Sequence, residues 1–195
     1  MKKIKKILAA NRSEIAIRIF RAAEESGIKT AAIYSKEDRF ALHRFKTDES
    51  YLVGEGKGPI QAYLDINSII DIAKKAGVDA IHPGYGFLSE NPDLADQCEK
   101  NNIIFIGPTK EILNRLGNKT AAKEVADEAG VSTIPSVKVN EQNKKTIHDE
   151  VNKIGYPVIV KASWGGGGRG MRVVRSADEL SEQIDLAQSE SKKAF

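Results

Sequence analysis

The first hundred residues alternate short β-branched runs with longer amphipathic segments, and this alternation constrains the fold most strongly. Such an order is typical of a parallel sheet, because parallel strands need a crossover connection, usually a helix. Glycines end two of the amphipathic segments, as helix C-termini often require. The predicted strands are 4–10, 30–34, 51–53, 79–81 and 103–106, and the predicted helices are 14–26, 66–76 and 92–100.

Two polar segments directly follow predicted strands, at the edge where parallel sheets bind their ligands. The segment 11–14 is predicted to begin a helix, with Asn11 or Ser13 as its N-cap. The segment 82–91 places glycines on both sides of Tyr85. Its spacing leaves two interpretations open, a loop that presents polar groups to a ligand and a turn that only caps the next helix.

A glycine-rich loop lies between two further β-branched runs, 158–160 and 171–174. Glycines can turn several backbone N–H groups toward one point, which suits a phosphate, and Lys161 and Arg169 add positive charge. A strand after the glycines excludes the dinucleotide fingerprint, which requires a helix there. A flexible turn without a ligand is disfavoured, because ordering so much glycine is entropically costly. The loop therefore predicts a β-hairpin that closes over a triphosphate.

Composition bounds the class of protein. The chain has 195 residues, 41% of them hydrophobic, and a net charge of +3. These values are typical of a globular protein and favour neither nucleic-acid nor membrane binding. The single cysteine, Cys98, is predicted to be a structural thiol in a reducing compartment, the cytoplasm. His43 and His148 have no partner in the sequence, and we predict surface or capping roles for them.

With these residues in view, the chain resembles the N-terminal part of the biotin carboxylase module of the biotin-dependent carboxylases, an ATP-grasp enzyme. Five segments carry the resemblance in this order: 10–16, 82–91, 105–108, 117–119 and 161–171. The segment 82–91 disfavours another ATP-grasp ligase such as carbamoyl phosphate synthetase. A Rossmann-type oxidoreductase is excluded, since it would need glycines after the first strand.

Two further segments resemble one branch of the family more than the others. The residues 48–58 and 62–66, with Trp164 before the glycines, are most similar to the pyruvate carboxylase branch. Acetyl-CoA and propionyl-CoA carboxylase subunits are the alternatives. Ser13 departs from the family, which usually has glycine there, so the turn after the first strand is expected to differ.

The resemblance implies an α/β fold in two parts. Residues 1–115 would form a Rossmann-like, parallel-sheet (pre-ATP-grasp) N-terminal domain, followed by a helical connector over 116–134. Residues 135–195 would form an α+β ATP-grasp lid. This lid is expected to be incomplete, because the helix that begins near Ala177 is still running at Phe195.

The resemblance also implies the chemistry of an ATP-dependent ligase. ATP would phosphorylate bicarbonate to carboxyphosphate, and the released CO2 would be captured by the ureido nitrogen of biotin. The implied cofactors are ATP, Mg2+ (or Mn2+) and biotin. The implied partners are bicarbonate, a biotin carrier domain, a carboxyltransferase domain and further copies of the full-length protein. The magnesium ligands and the catalytic base are expected beyond Phe195, so we expect no metal-binding or catalytic residue in this chain, and no turnover by it alone. The alternative is a non-catalytic nucleotide-binding module.

The family's binding residues carry over to particular positions of this sequence. Lys119 and Lys161 match lysines beside the nucleotide phosphates, and Ile159 and Met171 match residues against the adenine. Tyr85 and Gly86 match residues that line the biotin pocket. Backbone groups of four glycines would close over the β- and γ-phosphates: Gly165, Gly166, Gly167 and Gly168.

Overall fold

The predicted parallel sheet is present in the computed structural model, which describes residues 3–117, 119–140, 143, 146–161 and 171–194. Its strands are β1 (Lys6–Ala9), β2 (Lys29–Tyr34), β3 (Glu49–Leu52), β4 (Ala80–His82) and β5 (Ile104–Phe105). They follow the order β3-β2-β1-β4-β5, and every neighbouring pair is parallel. The α/β fold class predicted from the sequence is therefore confirmed.

The central strand β1 is buried on both faces, as expected for a parallel sheet covered by helices. Its residue Leu8 is paired with Ala31 on one side and with Ile81 on the other. All three side chains are fully buried. This arrangement brings the carboxyl ends of β1, β2 and β4 to one edge of the sheet.

Four helices belong to the same part of the chain: α1 (Ser13–Glu25), α2 (Pro59–Tyr63), α3 (Ile66–Ala76) and α4 (Pro92–Lys100). The helix α1 covers one face of the sheet, where Phe20 packs in one apolar cluster with Ala32. Ile69 of α3 and Leu94 of α4 belong to the cluster on the opposite face. Local signals set the ends of α3 and α4, since Gly77 takes φ +61° after α3 and the Asn91 side chain caps α4.

Short helical segments were not predicted. Helix α2 has five residues, and two 3-10 turns span Glu37–Phe40 and Leu42–Phe45 between β2 and β3. Segments of this length are too short for a 3.6-residue apolar repeat to stand out. The surface or capping role predicted for His43 was wrong, because its side chain is fully buried and its Nε2 lies 3.1 Å from the carbonyl of Ile33 in β2. His148 is partly exposed, and its Nε2 lies 2.9 Å from Ser181 Oγ.

The chain divides into two compact units, Met1–Asn114 and Arg115–Phe195. The helix α5 (Lys110–Gly117) contains the boundary between them. The remaining elements are α6 (Lys119–Glu128), α7 (Ile147–Ile154), β6 (Val158–Val160), β7 (Arg172–Val174) and α8 (Ala177–Ala194). The predicted connector over 116–134 and lid over 135–195 stay a prediction.

In the second unit, β6 and β7 form an antiparallel two-stranded sheet. One face of this sheet packs against α7 and α8 in a small core that contains Val151, Val174 and Leu180. Among the helices in the described ranges, none is long and apolar enough to cross a membrane. The predicted structural thiol Cys98 is fully buried in α4, and burial raises its pKa to about 12.

Candidate functional site

The first helix does not begin as the sequence predicted. Arg12 occupies the N-cap position and no side chain caps the helix, so the predicted capping by Asn11 or Ser13 was wrong. The Asn11 side chain instead turns toward the segment after β4, where its amide donates to the backbone oxygens of Pro83 at 2.7 Å and Tyr85 at 2.8 Å. These acceptors lie more than seventy residues away in the sequence. Because the Asn11 amide is buried, its N–H groups need hydrogen-bond partners, and the two loop carbonyls supply them in place of a helix cap.

Ser13 has a backbone conformation that explains why its position favours glycine. Its φ of +53° lies in the left-handed region, which costs a non-glycine residue about 1–2 kcal/mol. The departure from the family that the sequence showed at this position therefore falls on a strained turn. Arg12 and Glu14 are the two neighbours of this strained residue.

The loop after β4 presents the two predicted biotin-pocket residues at the carboxyl edge of the sheet. Tyr85 is 64% exposed, and its hydroxyl donates to Glu14 Oε2 at 3.0 Å. Gly86 takes φ +68°, with no atom within 4 Å of where a Cβ would stand. At the base of the loop, the N–H of Gly84 donates to His82 Nδ1 at 3.0 Å, so the ring proton resides on Nε2. Burial lowers the pKa of His82.

A cluster beside this loop joins four elements. The Arg12 guanidinium lies 5.6 Å from the centroids of both the Tyr63 and Phe87 rings, which stack on each other at 5.1 Å. On its polar side Arg12 Nη1 pairs with Asp38 Oδ2 at 3.2 Å. The Tyr63 hydroxyl donates to the same carboxylate oxygen at 2.8 Å. Arg12 is therefore held by two rings and one carboxylate, a geometry that its planar group suits.

The charges of this cluster are set by burial and by its hydrogen bonds. Burial opposes ionisation of Asp38, but the bonds from Tyr63 and Arg12, together with the charge of Arg12, hold the pKa of its carboxyl below the ordinary value. Burial and the bond to Asp38 raise the pKa of Tyr63, so it stays a donor. Nearby, His43 Nε2 lies 3.1 Å from the Ile33 carbonyl, and burial lowers the pKa of its ring.

A second group of predicted site residues lies on the β6–β7 hairpin. Ile159 is paired directly with Val173, and both side chains remain about half exposed, at 55% and 52%. Met171, just before β7, is half exposed as well, and Lys161, just after β6, is exposed. Their neighbours Val158, Val160 and Val174 pack on the opposite side, against the core of the unit. The hairpin thus has one packed face and one apolar face open to a ligand.

The remaining predicted ATP contacts lie outside what the structure describes. Lys119 begins α6, but its side chain is not among the described ones, and the glycines 165–168 fall in a range that is not described. Within the described ranges, no group of three or more histidine, cysteine, aspartate or glutamate side chains has the arrangement of a metal site.

Sequence reasoning missed three residues that the structure brings to these sites. Asp38 and Tyr63 complete the cluster around Arg12, and Val173 completes the open face of the hairpin. A signal existed for Val173, because strand pairing places it opposite Ile159 on the same face. No spacing rule relates Asp38 or Tyr63 to Arg12, since they meet only through the tertiary fold.

Comparisons with known proteins agree with this arrangement. Residues 3–113 match the family model described as biotin carboxylase, N-terminal domain. Residues 118–195 match the model described as carbamoyl-phosphate synthase L chain, ATP binding domain.

Three known proteins illustrate the similarity. Pyruvate carboxylase of Bacillus subtilis is 56% identical over 192 residues, which is 98% of this chain and 17% of that enzyme. The solved structure of Rhizobium etli pyruvate carboxylase with the allosteric activator acetyl coenzyme A is 52% identical and has a TM-score of 0.88, covering 100% of this chain and 17% of the other.

The third is the biotin carboxylase domain dimer of 2-oxoglutarate carboxylase from Hydrogenobacter thermophilus, solved with MgADP, ADP and bicarbonate. It is 43% identical with a TM-score of 0.91, covering 100% of this chain and 43% of the other. This chain therefore spans about a sixth of the pyruvate carboxylases that it matches. Since the biotin carboxylase N-terminal model alone covers more than half of its residues, the chain belongs to the biotin carboxylase family.

Proposed function

We propose that this chain forms the N-terminal part of the biotin carboxylase module of a pyruvate carboxylase. In this function ATP phosphorylates bicarbonate, and the carboxyl group then passes to biotin on a carrier domain. The observation that carries the proposal is the open face of the β6–β7 hairpin. There Ile159 and Val173 lie side by side and half exposed, with Lys161 at the end of the same strand pair.

The open face supports nucleotide binding by its chemistry. Adenine is flat and apolar on both sides, so it fits against exposed aliphatic side chains such as Ile159, Val173 and Met171. Lys161 supplies a cation for the phosphates. We infer that Lys119 and the backbone of the glycines 165–168 hold the phosphates as well. Mg2+, or Mn2+ in its place, neutralises phosphate charge when bound, and we expect its ligands outside this chain.

The loop after β4 supports the biotin half of the proposal. Tyr85 offers an exposed ring, and Gly86 leaves its own surface open to close approach. Biotin, when bound, supplies the ureido nitrogen that accepts the carboxyl group. The residues of this chain would bind and orient it, while the proton transfer would fall to groups elsewhere in the module.

The choice of pyruvate as acceptor rests on relatives. The chain is 56% identical to the B. subtilis pyruvate carboxylase and 43% identical to the 2-oxoglutarate carboxylase domain. We therefore infer a carboxyltransferase domain that acts on pyruvate, and a homo-oligomeric full-length enzyme. A cytoplasmic location fits the single, buried cysteine, Cys98, which needs no oxidising compartment.

Bicarbonate-dependent ADP release by the full-length enzyme, measured with and without free biotin, tests the proposal. We expect biotin to stimulate release in the wild type and Lys161→Ala to abolish the stimulation. Lys153→Ala, an exposed lysine on α7, is the matched control and should behave as the wild type. ATP cleavage without a response to biotin would contradict the proposal. Carboxylation of pyruvate against acetyl-CoA and propionyl-CoA then identifies the acceptor.

A further inference from the structure

Two motifs that are separate in the sequence form one unit in the structure. The segment 11–14 after β1 contacts the loop 83–87 through three of its residues, Asn11, Arg12 and Glu14. We propose that this segment is a template that fixes the loop for biotin, with Asn11 as the positioning residue for Tyr85 and Gly86. The inference rests on the proposed function and deepens it.

The amide of Asn11 is held in a single orientation. Its Nδ2 donates to two backbone oxygens of the loop, those of Pro83 and Tyr85, while its Oδ1 accepts the N–H of Arg12 at 2.9 Å. The side chain is only 3% exposed, so water does not substitute for these partners. Only a group with two donors and one acceptor satisfies all three bonds. An aspartate at this position would place a carboxylate oxygen, which only accepts hydrogen bonds, against the carbonyl oxygens of Pro83 and Tyr85.

The close approach of Asn11 also explains why the loop has glycine at position 84. A Cβ added to Gly84 would stand 2.7 Å from Asn11 Nδ2 and 3.1 Å from Ile15 Cγ1, and its φ is +69°. The chain therefore turns at Gly84 directly over the Asn11 amide. This turn points the next two residues, Tyr85 and Gly86, away from the buried side of the loop, as their exposure shows.

Glu14 and Arg12 contact two further residues of the loop, Tyr85 in its middle and Phe87 at its end. The Tyr85 ring is exposed, and its hydroxyl donates to Glu14 Oε2 at 3.0 Å, while Glu14 Oε1 lies 3.5 Å from Arg18 Nε. At the far end, Arg12 lies over the Phe87 ring. The buried Asn11 amide thus fixes the backbone of the loop, and the exposed Glu14 carboxylate fixes the direction of the Tyr85 ring.

A loop that is already fixed loses little conformational entropy when its ligand binds, and preorganisation strengthens binding in this way. The parts of this loop left open, the Tyr85 ring and the space at Gly86, are those a ligand would contact. Loss of the template should therefore weaken biotin binding selectively. ATP binding, which the proposed function assigns to the hairpin, should not change.

Asn11→Asp in the full-length enzyme tests the inference, with Asn101→Asp as matched control. The control also removes an amide that donates to a backbone oxygen, that of Gln97 at 2.8 Å, at the end of α4. We expect the KM for free biotin to rise about tenfold or more in Asn11→Asp, while the KM for ATP stays within about twofold in both variants. Hydrogen exchange of the amides 84–88 should become faster in Asn11→Asp only.

Glu14→Gln provides a second variant that keeps the buried core intact, since the carboxylate is exposed. We expect its KM for biotin to rise about twofold to fivefold, with Glu24→Gln on the same helix unchanged. Unchanged biotin KM values in Asn11→Asp and Glu14→Gln, in an enzyme that responds to biotin, overturn the inference alone. A wild-type enzyme without biotin-stimulated ADP release overturns the proposed function and, with it, this inference.

Discussion

The hydroxyl of Tyr63 donates to Asp38 Oδ2 at 2.8 Å and accepts the backbone N–H of Ser35 at 3.2 Å. Tyr63 belongs to α2, which follows β3, whereas Ser35 and Asp38 follow β2. The Tyr63 ring also stacks on Phe87, which follows β4. One fully buried side chain thus ties together the connections after three strands at the candidate site.

Removing this hydroxyl should destabilise the chain. We expect Tyr63→Phe to lower the free energy of unfolding by about 1–3 kcal/mol, because it leaves the Ser35 N–H without its acceptor and Asp38 with one donor fewer. Tyr51→Phe is the control, since the Tyr51 hydroxyl also donates to a carboxylate, Glu49, but is not buried. Denaturant unfolding measures both, and equal losses would contradict the prediction.

Ser13 offers a stabilising substitution. Ser13→Gly should raise the free energy of unfolding by about 0.5–1 kcal/mol, because glycine adopts φ +53° without strain, partly offset by its greater freedom in the unfolded chain. Ser26→Gly, at φ −92°, has no such strain to relieve and should destabilise. Thermal unfolding of the two variants distinguishes them; a less stable Ser13→Gly would show that the strain is not real.

Two neighbouring glycines separate backbone strain from steric overlap. Gly84→Ala should cost more than Gly86→Ala, although both residues have nearly the same φ, +69° and +68°. Both changes carry the left-handed penalty of about 1–2 kcal/mol. Only the methyl group at position 84 would overlap a neighbour, the Asn11 amide at 2.7 Å. Denaturant unfolding should therefore show a clear difference, and equal losses would indicate that the loop moves away from Asn11.

Stability should depend on pH through His43. Burial lowers the pKa of this ring, against the charge of Asp38 and the bond to Ile33, while the Arg12 charge adds to the lowering. The unfolded chain then binds a proton first as pH falls below the ordinary value of 6.5. The free energy of unfolding should therefore decrease as the pH falls from about 7.5 to about 5.5, by at most about 1.4 kcal/mol per pH unit for one such group.

His43→Gln keeps a donor for the Ile33 carbonyl and removes the titration. We expect a shallower pH dependence in this variant than in the wild type, measured by denaturant unfolding at each pH. His148→Gln, which replaces a partly exposed histidine on α7, is the matched control. A His43→Gln profile parallel to that of the wild type would assign the effect to other groups.

Val173 should contribute to nucleotide binding although the sequence did not mark it. Val173→Ala removes two half-exposed methyl groups from the open face of the hairpin, and we expect the KM for ATP to rise about threefold to fivefold in the full-length enzyme. Leu186→Ala, on the exposed side of α8, is the control. An unchanged KM for ATP would exclude this face as the adenine surface.

Elements with strong local signals were predictable from the sequence. Helix α3 has the predicted bounds, Ile66–Ala76, because an amphipathic repeat, an Asp65 cap and Gly77 all agree on them. Strand β6 also has the predicted bounds, Val158–Val160, because the β-branched run stops just before Lys161. The parallel sheet followed from the alternation of such segments.

The contents of the candidate site were less predictable, because long-range contacts decide them. The local sequence predicts a helix cap at Asn11, yet its side-chain amide donates to residues 72 and 74 positions further along the chain. His43 has no apolar repeat around it, and its burial depends on how the turn Leu42–Phe45 packs against α1, β2 and β3. A sequence pattern reports the periodicity of one segment, whereas these side chains respond to neighbours contributed by other strands.

The pairing of β1 with β4 also has a consequence for biosynthesis. Lys6–Ala9 is synthesised well before its neighbour Ala80–His82, which follows only after two more strands and three helices have been made. Until then the Asn11 amide has neither of its loop acceptors, and one edge of β1 is unpaired. During synthesis, β1 therefore keeps one unpaired edge until the segment 80–87 has been made, and this edge is a site for aggregation or chaperone binding over that interval.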